Sequence, residues 1–487
     1  MTVYLVGAGP GDPGLITVRG AELLRRAEVV VHDRLSAVEL LDLVPEGAER
    51  IDVGKAAGRH SMTQDAICAL LVERGSKGQQ VVRLKGGDPY VFARGGEEAA
   101  ALQAAGVAFE VVPGITSALA VPAAAGIPVT LRYSSTSFTV VTGHEDPAKE
   151  GSSVDWEAIA RVGGTIVLLM GVAQWPAISA RLIAAGLAPG TPAAAVRWGT
   201  RPDQRTSRAT LGTLHQHGLE SPSVIVVGEV AGQDLDWFER RPLFGKRVVV
   251  TRTRAQASGL VGRLRELGAE PIELPVIAVG EPSDGGAGMR AALAGIATAE
   301  WLVFTSPNGV ERAFAALPDV RALGGVKVAA IGPGTAAALA ERRVVADLVP
   351  RRFVAEGLLE VFPGPAGPAP GRVVLARAAV ARDVLPDGLR SLGWDVEVVE
   401  AYRTVPARPD ATALARVAGA DAVTFTSSST VTNFVAAVGV DAVPETVACI
   451  GPVTAATARD LGLTVAVEAA VHTIDGLVDA LHSVLAP

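Results

Sequence analysis

The first residues able to hold a small molecule are Val6-Gly7-Ala8-Gly9-Pro10-Gly11-Asp12-Pro13, between an apolar run at 3–6 and a helical stretch at 15–26. Strand, glycine loop and helix together make a nucleotide-binding arrangement. A pyrophosphate loop needs Gly-x-Gly-x-x-Gly and free backbone N–H groups facing the anion. Here Asp12 stands at the third glycine position, and Pro10 has no N–H to offer. A carboxylate repels phosphate, so the loop suits a ligand without one, and adenosine joined to a sulfonium amino acid fits better than NAD. Four further clusters follow apolar runs: His32-Asp33-Arg34-Leu35-Ser36, Arg83-Leu84-Lys85-Gly86-Gly87-Asp88-Pro89, Val112-Pro113-Gly114-Ile115-Thr116-Ser117 and Leu169-Met170-Gly171. Gly86 and Gly87 let a ligand approach the backbone closely, and Asp88 is able to bind a ribose or an ammonium. Each cluster alone is also what a tight strand-to-helix turn requires; five at sheet ends favour a binding site.

The elements that must position these residues alternate through the first half. Strands are expected at 3–6, 28–32, 80–84, 109–112, 137–142, 165–170, 193–197 and 224–227, with helices such as 63–73 and 96–105 between them. That alternation predicts an α/β fold with ligands at the carboxyl ends of strands. The break at 113–117 is expected to cross between two lobes, about 1–113 and 114–240. Hydrophobic residues make up 49% of the chain and aromatics only 4%, a balance suited to buried parallel strands. No apolar run reaches the roughly 20 residues that span a bilayer. The N-terminus enters a strand directly, so the expected location is cytoplasmic, with no membrane partner. A net charge of −7 argues against nucleic acid as a partner. Cys68 and Cys449 lie far apart without metal-ligand spacing, and His215-Gln216-His217 has no third ligand, so no metal is expected.

The second half, 246–487, carries an internal repeat. Val248-Val249-Val250 through Leu267-Gly268 matches Val373-Val374-Leu375 through Leu392-Gly393, and Phe304-Thr305-Ser306 recurs as Phe425-Thr426-Ser427. The run from Val328 to Ala337 likewise recurs from Val447 to Ala456. Two similar α/β lobes follow, about 246–279 plus 405–487 and about 280–404. Nothing here pairs a nucleophile with a base. The repeat offers hydroxyls and backbone amides at sheet ends, with Arg252, Arg254, Arg377 and Arg382 after the two opening strands. Arginine forks suit carboxylates, while Ser and Thr at such places also cap helices.

From about residue 3 to 230 the chain resembles uroporphyrinogen-III C-methyltransferase, within the tetrapyrrole methylase family. The likeness rests on 6–13, Asp33-Arg34-Leu35, Gly54-Lys55, 83–89, 113–117, Thr142-Gly143-His144 and Ser221-Pro222. It implies two methyl transfers from S-adenosylmethionine to carbons of uroporphyrinogen III, giving precorrin-2, in a homodimer formed through this half. It places the donor on Pro10, Gly86, Gly87, Asp88, Val91, Thr116, Ser117, Met170 and Gly199, and an acid/base pair at Asp33 and Lys55. Read without the family, Asp33 is a helix cap and Lys55 a solvated loop amine. His32 and Ala93 stand where the family commonly has Tyr and Gly.

From about 246 to 484 the chain resembles uroporphyrinogen-III synthase, through Val250-Thr251-Arg252, 304–310, Ala330-Ile331-Gly332, Ala401-Tyr402-Arg403-Thr404, Phe425-Thr426-Ser427-Ser428 and 450–454. The implied reaction closes hydroxymethylbilane with inversion of the last ring and uses no cofactor. Tyr402 matches the tyrosine suggested to assist hydroxyl departure, and Arg252, Ser306, Ser427 and Thr454 are candidate substrate contacts. Val453 removes one hydroxyl from the family pattern. The expected whole is a two-lobed methylase fold followed by a two-lobed pseudo-repeat synthase fold, the product of the second half being the substrate of the first. A dehydrogenase with Asp33 on the ribose is disfavoured by Pro10 and Asp12; a non-catalytic tetrapyrrole-binding second half remains open.

Overall fold

The computed structural model describes residues 2–33, 38–54, 62–145, 154–367, 369–407, 409 and 411–486. The chain divides into two compact units, Met1–Gly245 and Lys246–Pro487. In the first, β1 (Val3–Gly7), β2 (Val29–His32), β3 (Glu49–Asp52), β4 (Val81–Lys85) and β5 (Phe109–Val112) form a parallel sheet in the order β3-β2-β4-β1-β5. Val3, Leu5, Val6, Val29, Val31 and Leu84 are wholly buried, because helices cover both faces and the central strands need apolar residues on each. The helix Gln64–Ser76 starts at Thr63, whose hydroxyl accepts from Ala66 N at 3.3 Å.

The helix Ser117–Ala124 carries the chain to the second lobe and packs Ala118 and Val121 against Val167, Val196 and Val226. There β6 (Phe138–Thr142), β7 (Thr165–Leu169), β8 (Pro192–Arg197), β9 (Arg205–Thr210) and β10 (Ser223–Val227) run in the order β6-β7-β10-β8-β9. Only the first pair is parallel; β10, β8 and β9 are joined antiparallel. Among the described residues of this unit, two strands fall where no apolar run announces them. Both β3 and β9 lie at sheet edges, where one flank needs no apolar partner, and the sequences Glu49-Arg50-Ile51-Asp52 and Arg205-Thr206-Ser207-Arg208-Ala209-Thr210 are accordingly polar.

The second unit holds β11 (Arg247–Val250), β12 (Glu270–Glu273), β13 (Ile277–Gly280), β14 (Trp301–Phe304), β15 (Lys327–Ala330), β16 (Arg372–Ala378), β17 (Asp395–Pro406), β18 (Ala422–Phe425), β19 (Thr446–Cys449) and β20 (Val465–Glu468). They form two sheets, β12-β11-β18-β19-β20 and β13-β17-β16-β14-β15. The repeat matches occupy equivalent places: β11 corresponds to β16, β18 to β14 and β19 to β15, all parallel neighbours. Buried threonines tie the first sheet across its middle, Thr251 Oγ1 donating to Thr424 O and Thr424 Oγ1 to Val249 O, each at 2.9 Å. Cys449, enclosed at the end of β19, has its thiol pushed up to about 11 by burial, so it is inert at neutral pH.

Candidate active site

At the carboxyl ends of β1, β4 and β5 the backbone is packed too tightly for side chains. A Cβ on Gly7 would lie 2.5 Å from the Gly114 Cα, and one on Gly114 would run into the Gly87 carbonyl. Gly87 has φ +67°, which glycine adopts at no steric cost. Ala8 N donates to Lys85 O at 2.7 Å, while Gly9 and Gly87 exchange N–H···O bonds of 3.2 and 2.7 Å. Two amides that a pyrophosphate loop would aim at its ligand are therefore spent inside the protein. Asp12 also turns away, capping the turn Pro13–Leu15 by accepting from Gly14 N at 2.8 Å.

Between the two lobes of this unit lies a cleft of about 350 Å³. Pro10, Gly86, Gly87, Val91, Thr116, Ser117, Met170 and Gly199 all line it, and Asp33 faces it from the first lobe. Asp88 does not line the cleft. Its Oδ1 accepts from Tyr90 N at 2.8 Å and its Oδ2 from Gly114 N at 3.0 Å, so it fastens the Gly86-Gly87 turn to the lobe crossing. Lys55 lies outside the described residues. Phe92, Trp198, Arg201, Ser223 and Val224 line the cleft without having been singled out from sequence, and Pro222, from the Ser221-Pro222 motif, joins them. Phe92, Met170, Trp198 and Thr200 share positive φ values of 53, 58, 48 and 70°. Such conformations cost a non-glycine residue roughly 1–3 kcal/mol and gather where function over-determines the backbone. No short-range pattern announces them.

Asp33 is held by a buried charge cluster. Arg83 Nη2 donates to Asp33 Oδ1 at 2.7 Å, and Arg83 Nε to Glu98 Oε1 at 3.1 Å. The same Glu98 oxygen accepts from Lys85 Nζ at 2.8 Å and from Gln64 Nε2 at 3.2 Å. Arg83, Lys85 and Glu98 are almost wholly buried, whereas Asp33 keeps a third of its side chain exposed. Burial, then the Arg83 charge, lowers the proton affinity of the Lys85 amine.

The cleft fits a donor built from adenosine and a sulfonium amino acid. Val91, Leu169 and Val196 give it apolar walls, glycine and Thr116 backbone gives it polar edges, and the charged side chains on it among the described residues are Asp33 and Arg201. That set lacks the clustered cations that favour a diphosphate.

In the second unit the predicted residues sit on two different sheets. Arg252, Ser427 and Thr454 follow the adjacent strands β11, β18 and β19, whereas Ser306 follows β14 and Tyr402 lies on β17. Ser306 Oγ accepts from Gly309 N at 3.1 Å, and Ser427 shares a capping box with Thr430, so both are helix caps. Helix starts at Ser306-Pro307, Gly332-Pro333, Ser427-Ser428 and Gly451-Pro452 all stand at strand carboxyl ends. Burial lowers the proton affinity of Arg252. Arg377 is committed to Asp383 at 2.8 Å and Arg382 to Glu356 at 2.7 Å. The Tyr402 ring is packed in the core beside Val399 and Ala401. His215 and His217 end a short exposed turn, and no group of potential metal ligands forms among the described residues.

Two family models match the chain: Tetrapyrrole (Corrin/Porphyrin) Methylases over residues 2–215 and Uroporphyrinogen-III synthase HemD over 258–479. A porphyrin biosynthesis protein HemD of Ruminiclostridium josui is 40% identical over 98% of this chain and 97% of its own. An S-adenosyl-L-methionine-dependent uroporphyrinogen III methyltransferase of Methanosarcina barkeri is 53% identical over 47% of this chain and 91% of its own. A solved uroporphyrin-III C-methyl transferase of Thermus thermophilus, complexed with S-adenyl homocysteine, is 39% identical over 47% of this chain and 98% of its own, with a TM-score of 0.41. The chain belongs to the family of fused tetrapyrrole-biosynthesis enzymes that join a tetrapyrrole methylase, using S-adenosylmethionine, to a uroporphyrinogen-III synthase.

Proposed function

We propose that the second unit cyclises hydroxymethylbilane to uroporphyrinogen III with inversion of ring D, and that the first unit methylates this product twice to give precorrin-2. The observation that carries the methylation reading is the convergence of Asp33 and the glycine turns on one apolar cleft. The bound donor supplies a methyl group on a positively charged sulfur. The protein's own work is alignment of the reacting carbon with that methyl, exclusion of water, and removal of a proton from the macrocycle once the new C–C bond has formed. Asp33 takes that proton; Arg83 fixes its carboxylate from one side, leaving the other side to the cleft. Lys55 is its proposed acid/base partner. Pro10, Gly86, Gly87, Val91, Thr116, Ser117, Met170 and Gly199 hold the donor directly, and Asp88 through the turn it fastens. Incubation with uroporphyrinogen III and S-adenosylmethionine tests this half: a doubly methylated product is expected, and an unmodified macrocycle refutes it.

For the synthase half, hydroxymethylbilane carries many carboxylates, and four helix starts plus Arg252 at strand ends are suited to receive them. Ser306, Ser427 and Thr454 complete the proposed contacts. Tyr402, its ring locked in the core, protonates the departing hydroxyl. Tyr402→Phe is then expected to slow cyclisation by about 10²-fold, with the product shifting to the type I isomer that forms unaided. Unchanged turnover and isomer ratio, read by chromatography, would remove Tyr402 from the mechanism. We propose catalytic units at 1–240 and 246–487, a homodimer through the first, and action in the cytoplasm. No helix among the described residues is long and apolar enough to cross a membrane.

A further inference from the structure

The segment leading out of the first unit, residues 233–245, is bound firmly to the second lobe. Trp237 Nε1 donates to Ala123 O at 2.9 Å, Phe238 and Leu243 are buried, and the Arg241 guanidinium stacks on Trp237 and Phe238 at 4.7 and 4.3 Å. At the middle of this strap stands Glu239, whose Oε1 accepts from Thr206 Oγ1 and from Gln204 Nε2, the latter at 3.0 Å. Gln204 is 2% exposed, and its other end, Oε1, accepts from Thr200 N at 2.8 Å. Thr200, also buried and at φ +70°, accepts at Oγ1 from Asp12 N at 3.2 Å. Hydrogen bonds therefore run without a break from the strap, through the strained 198–201 turn, to the glycine loop of the opposite lobe. The path meets the cleft at two places: Pro10 and Gly11 precede Asp12, while Trp198, Gly199 and Arg201 sit on the turn.

The order of donors and acceptors along this path is fixed at the Gln204 amide by Glu239 on one side and Thr200 N on the other. An ionised carboxylate only accepts, so the Gln204 amide must turn its nitrogen toward Glu239 and its oxygen toward Thr200 N. Without Glu239 the Gln204 nitrogen loses its acceptor, the amide is held only by Thr200 N, and the turn is no longer tied to the strap. We infer that Glu239 and Gln204 are positioning residues for donor binding: the strap latches the 198–201 turn against the glycine loop and so sets the width of the cleft. This rests on the donor occupying that cleft.

The test is a swap in the full chain, read by calorimetric binding of S-adenosylhomocysteine and by the melting temperature of each variant. Gln204→Glu alone sets two carboxylates face to face and is expected to weaken binding by about tenfold or more, the equivalent of ~1.4 kcal/mol. Adding Glu239→Gln restores a donor facing an acceptor at each contact, so the double variant is expected to bind within about threefold of the parent. Glu239→Ala, which removes the bond from the Gln204 amide to the strap, supplies the loss-of-latch form if Gln204→Glu does not fold. A double variant no better than Gln204→Glu, or single variants Gln204→Glu and Glu239→Ala that bind as the parent does, overturns the latch. A parent protein that binds no S-adenosylhomocysteine overturns the cleft assignment itself, and the latch with it.

Discussion

Glu98→Ala is expected to destabilise the first unit by about 3–5 kcal/mol. Glu98 is fully buried, and its Oε1 alone receives Arg83, Lys85 and Gln64. Removing the carboxylate leaves two cations side by side in a dry interior. Lys85 has an escape, since burial and Arg83 already weaken its hold on a proton. Arg83 has none, because a guanidinium does not deprotonate in proteins. The second carboxylate oxygen of Glu98 finds no partner among the described residues, so the native cluster already bears a desolvation cost that the three donors must offset. Denaturant titration of the variant reads the effect directly. A loss below about 1 kcal/mol, the usual worth of an exposed ion pair, would mean that water reaches the cluster and that it is not the anchor of Asp33.

Asp33→Asn is expected to reduce methyl transfer by about 10²–10⁴-fold, the usual contribution of a positioned acid or base. Asparagine keeps an oxygen for the 2.7 Å bond from Arg83, so the local structure has no reason to change. What it loses is the ability to take a proton at neutral pH. S-adenosylhomocysteine should therefore bind the variant as it binds the parent, with the loss falling on turnover. A variant that loses binding instead makes Asp33 part of the donor's cradle; one that keeps full turnover places the base elsewhere, with Lys55 the next residue to replace.

The glycine loop and the 83–89 cluster were legible in the sequence because a backbone packed as closely as Gly7 on Gly114 leaves only glycine as a choice, and that choice is written locally. The repeat of the second unit was legible for a similar reason: β11 with β16, and β18 with β14, bury equivalent apolar runs in equivalent sheet positions. The edge strands β3 and β9 were not, since an edge tolerates polar residues. Trp198 and Arg201 reach the cleft on a turn bonded to Gln204 and Asp12, and through Gln204 to Glu239, partners up to 188 positions away. Asp88 shows the reverse case. Its place in the motif was visible, but its two backbone bonds, to Tyr90 and Gly114, depend on how two loops meet.

The most direct test of the account gives the purified full chain hydroxymethylbilane, with and without S-adenosylmethionine, and identifies the products by chromatography and mass spectrometry. The type III isomer is expected without the donor and a doubly methylated macrocycle with it. Type I isomer alone, together with failure to methylate added uroporphyrinogen III, contradicts both assignments. Type I isomer with methylation of added uroporphyrinogen III contradicts the synthase assignment and leaves the second unit a tetrapyrrole-binding module.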